Sequence, residues 1–310
     1  MAEQGAASAA SGNDSDQGRP SQHSANLRGI ALIIAAMAAF CLNDTLTKST
    51  FGELPMGEII TIRGIFANLI LAPVVLMSYG LANIVRSYSV PLMIRNASEI
   101  ASVFLFLGAL FRLPLANVTA ILQTLPLTMT AAAAILFGER VGWRRWTAAA
   151  VGLVGVVLII QPGSVEFSWW YVSAIAAVFF ITSRDIATRY ITQSTPTLII
   201  TFITAMVVTL AGAVIGLTET WVVPETLTLV RLAAAAVFVL IGYYCLIECW
   251  RGTEISVIAP FRYSIVIWAM IFGYALLGEV PSLTTAIGST VVVAAGLYTF
   301  HRERMTRPAA

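Results

Sequence analysis

Charge is scarce in this 310-residue chain: 11% of its residues are charged against 58% hydrophobic, with a mean hydropathy of +0.84. A soluble domain carries about 25% charged residues to form its surface, so the shortage excludes an ordinary water-soluble enzyme. Lysine is nearly missing, with Lys48 standing alone beside seventeen arginines. The arginines lie scattered between apolar runs and form no stripe, which argues against a nucleic-acid partner. Histidine is confined to His23 and His301 at the chain ends. Cys41, Cys245 and Cys249 sit inside apolar runs without metal-ligand spacing, so they read as small core residues. No metal, no cofactor and no catalytic residue is expected. Alternating ten-residue strands are missing too, which excludes an outer-membrane barrel.

Long apolar runs fill the space these absences leave. Residues 1–27, rich in Ala, Ser, Gly and Gln, cannot bury a core and are expected to form a disordered cytoplasmic tail. No apolar segment follows a basic start there, so the tail is not read as a signal peptide. Ten apolar segments follow, at roughly 29–49, 56–79, 91–111, 115–137, 142–161, 168–190, 196–217, 230–249, 255–278 and 282–301. Each is about long enough for a ~30 Å hydrocarbon core at ~1.5 Å per residue. Short connections make neighbours antiparallel. The expected fold class is therefore an all-α membrane protein of ten transmembrane helices, ending in a basic cytoplasmic tail at 302–310.

The arginines orient it. With the N-terminus inside, eleven basic residues fall on the cytoplasmic side, and only Lys48, Arg112 and Arg231 on the other. Cytoplasmic loops carry the excess of Lys and Arg, so both termini are expected in the cytoplasm, in a cytoplasmic (inner) membrane.

The halves repeat. Asp44 and Lys48 recur as Asp185 and Arg189, both at an offset of 141 residues, and Gly138-Glu139 recurs as Gly278-Glu279 at an offset of 140. Arg112 and Arg251 are offset by 139. Five helices per copy is an odd number, so the second copy must be inverted across the membrane, as in alternating-access transporters.

Ten helices in two inverted halves, each closing on a Gly-Glu pair, resemble the drug/metabolite transporter superfamily and within it the EamA-type carriers. Gly138-Glu139-Arg140 followed by Gly152 and Gly155 is similar to the first family repeat, and Gly278-Glu279 followed by Gly288 and Gly296 to the second. The resemblance sets the repeats at 28–161 and 162–301. Asn43-Asp44 with Lys48, and Ala259-Pro260-Phe261-Arg262-Tyr263, look like a subgroup holding riboflavin and S-adenosylmethionine carriers. It implies a secondary transporter of a small polar metabolite. A vitamin such as riboflavin is the first specific expectation. S-adenosylmethionine, or amino-acid or metabolite export, is the alternative.

Ionisable groups inside apolar helices are costly unless paired, and they default to functional candidates. Asp44 has Lys48 four residues on, Arg95 has Glu99, Asp185 has Arg189, and Glu248 has Arg251 three on. Such spacing shares a helix face, so each pair is either an insertion device or a functional one. Symmetry-related placement favours gating or coupling for Asp44 with Lys48 and Asp185 with Arg189; Asn43, Arg95, Glu99 and Glu248 are further candidates. Arg63, Arg184 and Arg262 have no acid at that spacing, so their partner must come from another helix, from water or from substrate. Arg262 leads, because Pro260 breaks the helix beside it. Gln123 near Pro126, and Tyr263, join the expected substrate pathway.

An intramembrane enzyme is the rival class. The sequence has no paired aspartate-rich motifs, no His or Cys cluster, and no two deep aspartates in a Gly-rich setting. The expected partners are a small-molecule substrate and the lipid bilayer, with protons and a second copy of the chain as further candidates.

Overall fold

The computed structural model describes residues 22–137, 143–161, 167–192, 194–252 and 259–306. Its helices are α1 (Gln22–Ser49), α2 (Met56–Arg86), α3 (Val90–Arg112), α4 (Leu115–Leu122), α5 (Leu125–Phe137), α6 (Trp143–Ile160), α7 (Trp170–Arg189), α8 (Thr197–Gly216), α9 (Thr226–Gly252), α10 (Ser264–Leu277) and α11 (Leu283–Thr306), with a 3-10 segment at Ala259–Tyr263. Helix is what a bilayer demands, since each segment must satisfy its own backbone groups where water is absent.

Six helices are long and apolar enough to cross a membrane by length and composition, and four shorter apolar stretches complete ten crossings: Leu115–Met129, Ala150–Ile160, Phe261–Leu277 and Leu283–Tyr298. The fourth crossing is broken between α4 and α5. The break falls at Pro126, and a proline supplies no backbone N–H to the carbonyl four residues back. Thr124 closes the gap, its hydroxyl donating to the Ile121 carbonyl at 2.7 Å and its own carbonyl accepting from Leu127 and Thr128. The second crossing runs past the expected end at 79, kinks at Gly80 (φ 71°) and continues to Arg86. Residues 22–27, expected in the disordered tail, are helical and extend α1.

Helices pair across the halves. α1 packs on α9, α3 on α7, α2 on α8 and α6 on α11. Exchanging each helix for its repeat mate converts the first pair into the second and the others into themselves. That is the pattern of a two-fold axis between inverted repeats, and it brings α1, α3, α7 and α9 to the middle.

One face of the bundle holds the end of α1, the starts of α2 and α4, and the end of α10. There the Gly278 turn (φ 68°) closes α10, with Glu279 N–H donating to the Gly273 carbonyl at 2.9 Å. Only glycine adopts this left-handed turn cheaply. It sends the Glu279 carboxylate back to the start of α4, where it accepts from Leu115 N–H at 2.7 Å. On the same face Glu219 accepts from Gly57 N–H at 2.9 Å and the buried Glu58 accepts from Val222 N–H at 3.1 Å.

Candidate functional site

Polar residues concentrate where α2, α3, α8 and α9 meet. Along α3, Arg95, Ser98, Glu99 and Ser102 stand at i, i+3, i+4 and i+7 and share a helix face, with Asn96 beside them, and Asn96, Ser98 and Ser102 are buried. Ser98 meets Ser183 of α7 hydroxyl to hydroxyl at 3.1 Å. Thr201 and Thr204, three residues apart on α8, face α3 from the other side. Between these helices lies a cavity of about 140 Å³ whose polar wall is Arg63, Arg95, Glu99, Thr201, Thr204, Thr209 and Tyr243. Its apolar wall comes mainly from aliphatic residues of α2, α8 and α9.

Two of the local pairs, Asp44 with Lys48 and Arg95 with Glu99, are not made as helix spacing led one to expect. Glu99 accepts from Arg184 of α7 at 3.0 Å rather than pairing with Arg95. Arg184 also bonds the adjacent Asp185, its Nε at 2.8 Å from Oδ1. Arg95 donates through Nε to Thr188 at 3.1 Å and through Nη1 to Thr204, whose hydroxyl lies 2.9 Å from the Asn96 side-chain oxygen. Lys48 turns away from Asp44 to Glu279 and the Leu113 carbonyl. Asp44 instead accepts from Asn43 at 2.9 Å and has Arg63 of α2 within electrostatic reach. These are corrections to the local pairs, and their cause is common. A guanidinium or ammonium on a long stem reaches a neighbouring helix as readily as the next turn of its own. Interhelical packing supplies acceptors in better line than an i,i+4 carboxylate does.

Arg63 donates to the Asn43 oxygen at 3.4 Å and to Thr47 at 3.3 Å, both on α1. Arg262 is exposed and makes no hydrogen bond or ion pair among the described residues, although Asp185 and Arg184 lie within electrostatic reach. Its 3-10 segment fits the irregular backbone expected beside Pro260. Arg262 and Tyr263 lie outside the 140 Å³ cavity wall, and Tyr263 is buried. Gln123 sits at the α4–α5 break, also away from that wall. The side chains of Arg189 and Glu248, with Glu139 and Arg140, lie outside the described residues.

Sequence reasoning missed Tyr243, Thr204 and the Glu99–Arg184 pair. The polar periodicity of α3 was available as a signal, whereas nothing local singles out Tyr243 from the adjacent Tyr244 in their apolar run. Among the described residues no group of three or more His, Cys, Asp or Glu could hold a metal ion.

The model of the EamA-like transporter family matches residues 27–161 and again 168–300. A crystal structure of a protein 19% identical superposes with a TM-score of 0.63 over 90% of this chain and 98% of its own, a likeness of fold. The S-adenosylmethionine uptake transporter of Rickettsia prowazekii is 22% identical, with 90% of this chain and 94% of that protein covered. The pseudopaline exporter CntI of Pseudomonas aeruginosa is 24% identical, with 86% and 94% covered. The riboflavin transporter of Vibrio cholerae is 22% identical, with 86% and 91% covered. Two family repeats spanning nearly all of a ten-crossing helical chain leave one conclusion. The chain belongs to the EamA-like transporter family of the drug/metabolite transporter superfamily, and it is a multi-pass membrane transporter.

Proposed function

We propose that this protein is a secondary carrier that moves a small polar metabolite across the cytoplasmic membrane by alternating access, with both termini in the cytoplasm. The observation that carries the reading is the cavity itself. It places Arg63, Arg95, Glu99 and Tyr243 in the apolar interior, where unused charge is costly. The repeats 28–161 and 162–301 are the two moving halves. Arg63, Arg95, Glu99, Arg184 and Arg262 mark the substrate pathway, with Gln123 and Tyr263 beside it. Asp44, Asp185 and Lys48 serve gating or coupling, in which protons are the candidate ion.

Guanidinium groups read carboxylates and ring carbonyls through fixed hydrogen-bond forks. The arginines and carboxylates of the centre supports this for a cargo of no net positive charge: Arg63, Arg95, Arg184 and Arg262 outnumber Asp44, Glu99 and Asp185 by one. A sulfonium compound such as S-adenosylmethionine adds positive charge to that surplus. Riboflavin is a second reading. Two relatives carry that transporter name, and Tyr243 offers a ring at the cavity wall for stacking. Uptake of labelled metabolites into vesicles, with and without an imposed proton gradient, tests the proposal. Saturable uptake of a small polar compound that competes with its unlabelled form is expected. Vesicles no different from empty ones across the metabolite panel would sink it.

A further inference from the structure

Resting on the carrier reading, we infer that the cavity is built for a small amino dicarboxylate, with Arg63 and Arg95 each reading a carboxylate and Glu99 reading the ammonium. The first support is the atoms left over. Arg95 uses Nε and Nη1 on Thr188 and Thr204, which leaves Nη2. Arg63 uses Nη1 on Asn43 and Thr47, which leaves Nε and Nη2. Glu99 gives Oε2 to Arg184, which leaves Oε1. Among the described residues the buried side-chain polar atoms without a partner are Asn68 Oδ1, Ser264 Oγ and Ser289 Oγ. The spare guanidinium and carboxylate atoms are not among them, and the residues that carry them line the cavity.

The second support is charge. The wall of the cavity carries two positive groups and one negative, and the complement is two negative groups and one positive. The arginines also enter from opposite ends. By helical rise, Arg63 lies roughly 10 Å and Arg95 roughly 25 Å from the face where α1 ends. Both residues line the one cavity, so a single ligand with two carboxylates meets a guanidinium at each level. Glu99 lies one turn from Arg95 on the same helix, beside the lower carboxylate, where an α-ammonium belongs. The third support is size. Drug-sized ligands occupy about 300–1,000 Å³, and this cavity holds about 140 Å³, room for a molecule of amino-acid dimensions.

The test is ligand binding to the purified full-length protein in detergent. The probes are aspartate, glutamate and 2-aminoadipate, with glutarate lacking the ammonium and 4-aminobutyrate lacking one carboxylate. The best amino dicarboxylate should bind at least tenfold more tightly than glutarate or 4-aminobutyrate. Glu99→Gln should close the gap to glutarate, and Arg95→Gln the gap to 4-aminobutyrate. Glu99→Gln also strips Arg184 of a partner, so Thr204→Val serves as a second variant. It removes the hydroxyl that Arg95 and the Asn96 oxygen share and leaves both carboxylate-reading charges in place, and it should weaken every dicarboxylate several-fold without lowering thermal stability by more than a few degrees. Equal binding of glutarate and the amino dicarboxylates overturns the inference, as does binding of riboflavin or S-adenosylmethionine with none of the three. The carrier reading survives either result if those compounds are taken up into vesicles. Tight amino dicarboxylate binding with no uptake of any compound supports the site and rejects the carrier.

Discussion

The four arginines Arg63, Arg95, Arg184 and Arg262 differ in what holds them. Arg184 has two carboxylates, Arg95 two hydroxyls, Arg63 an amide and a hydroxyl, and Arg262 no bonded group among the described residues. The gradient predicts different losses. Arg184→Met should destabilise the protein by about 1.5–3 kcal/mol, the value of hydrogen bonds to charged groups, read as a lower melting temperature. Arg262→Ala should abolish transport at near-normal abundance, with Arg262→Lys recovering a minor part, because lysine keeps the charge and loses the fork. Lost stability with transport intact would make Arg262 a structural residue. Asp44→Asn and Asp185→Asn should each impair transport while the protein still inserts; normal transport by both at matched abundance would remove them from the cycle. At this scale the sequence located the charges and misassigned their partners. The residues are visible as breaks in apolar runs, but Glu99 finding Arg184 depends on how α3 crosses α7, and no spacing along one helix encodes that.

Among the elements, the turn after α10 does the most with the fewest residues. Gly278 bends the chain, and Glu279 joins α10 to the start of α4 and to Lys48 of α1. Lys48 also holds the Leu113 carbonyl before Pro114. Three elements are thus latched on one face. Lys48→Glu and Glu279→Lys should each depress transport, and the double exchange should restore a measurable part of it. A double variant no better than either single one would mean the pair is not a direct latch. The α2–α8 crossing depends on small residues in another way. A Cβ on Gly57 would fall 2.7 Å from the Gly216 nitrogen and 2.8 Å from the Gly212 oxygen, both backbone. Gly57→Leu should therefore force the helices apart and cost about 1–3 kcal/mol, the usual range for overpacking, seen in thermal unfolding. Helix positions were legible from apolar run lengths to within a few residues, and Pro260 marked irregular backbone in advance. The break between α4 and α5 was foreshadowed by Pro126. The extension of α2 through Gly80 to Arg86 was not, because a glycine inside an apolar run reads equally as a stop or a kink.

Inverted duplication is the property of the whole molecule on which the proposed alternating-access cycle rests. Offsets of 139–141 residues between landmarks made the repeat readable without a structure, and the pairing of α1 with α9 and of α3 with α7 puts the axis between them. A duplicated odd-helix unit presents the same surfaces to both sides of the membrane, so closing one mouth and opening the other need few new contacts. In the proposed cycle the cavity between α2, α3, α8 and α9 faces each side in turn instead of both at once. Counterflow tests that claim most directly. Vesicles holding the purified protein are loaded with a high concentration of unlabelled cargo and diluted into a trace of the labelled compound. Alternating access predicts a transient accumulation of label above its outside concentration, abolished by Arg262→Ala. Label that only equilibrates, at a rate indifferent to internal cargo, would mean an open pore and contradict the account.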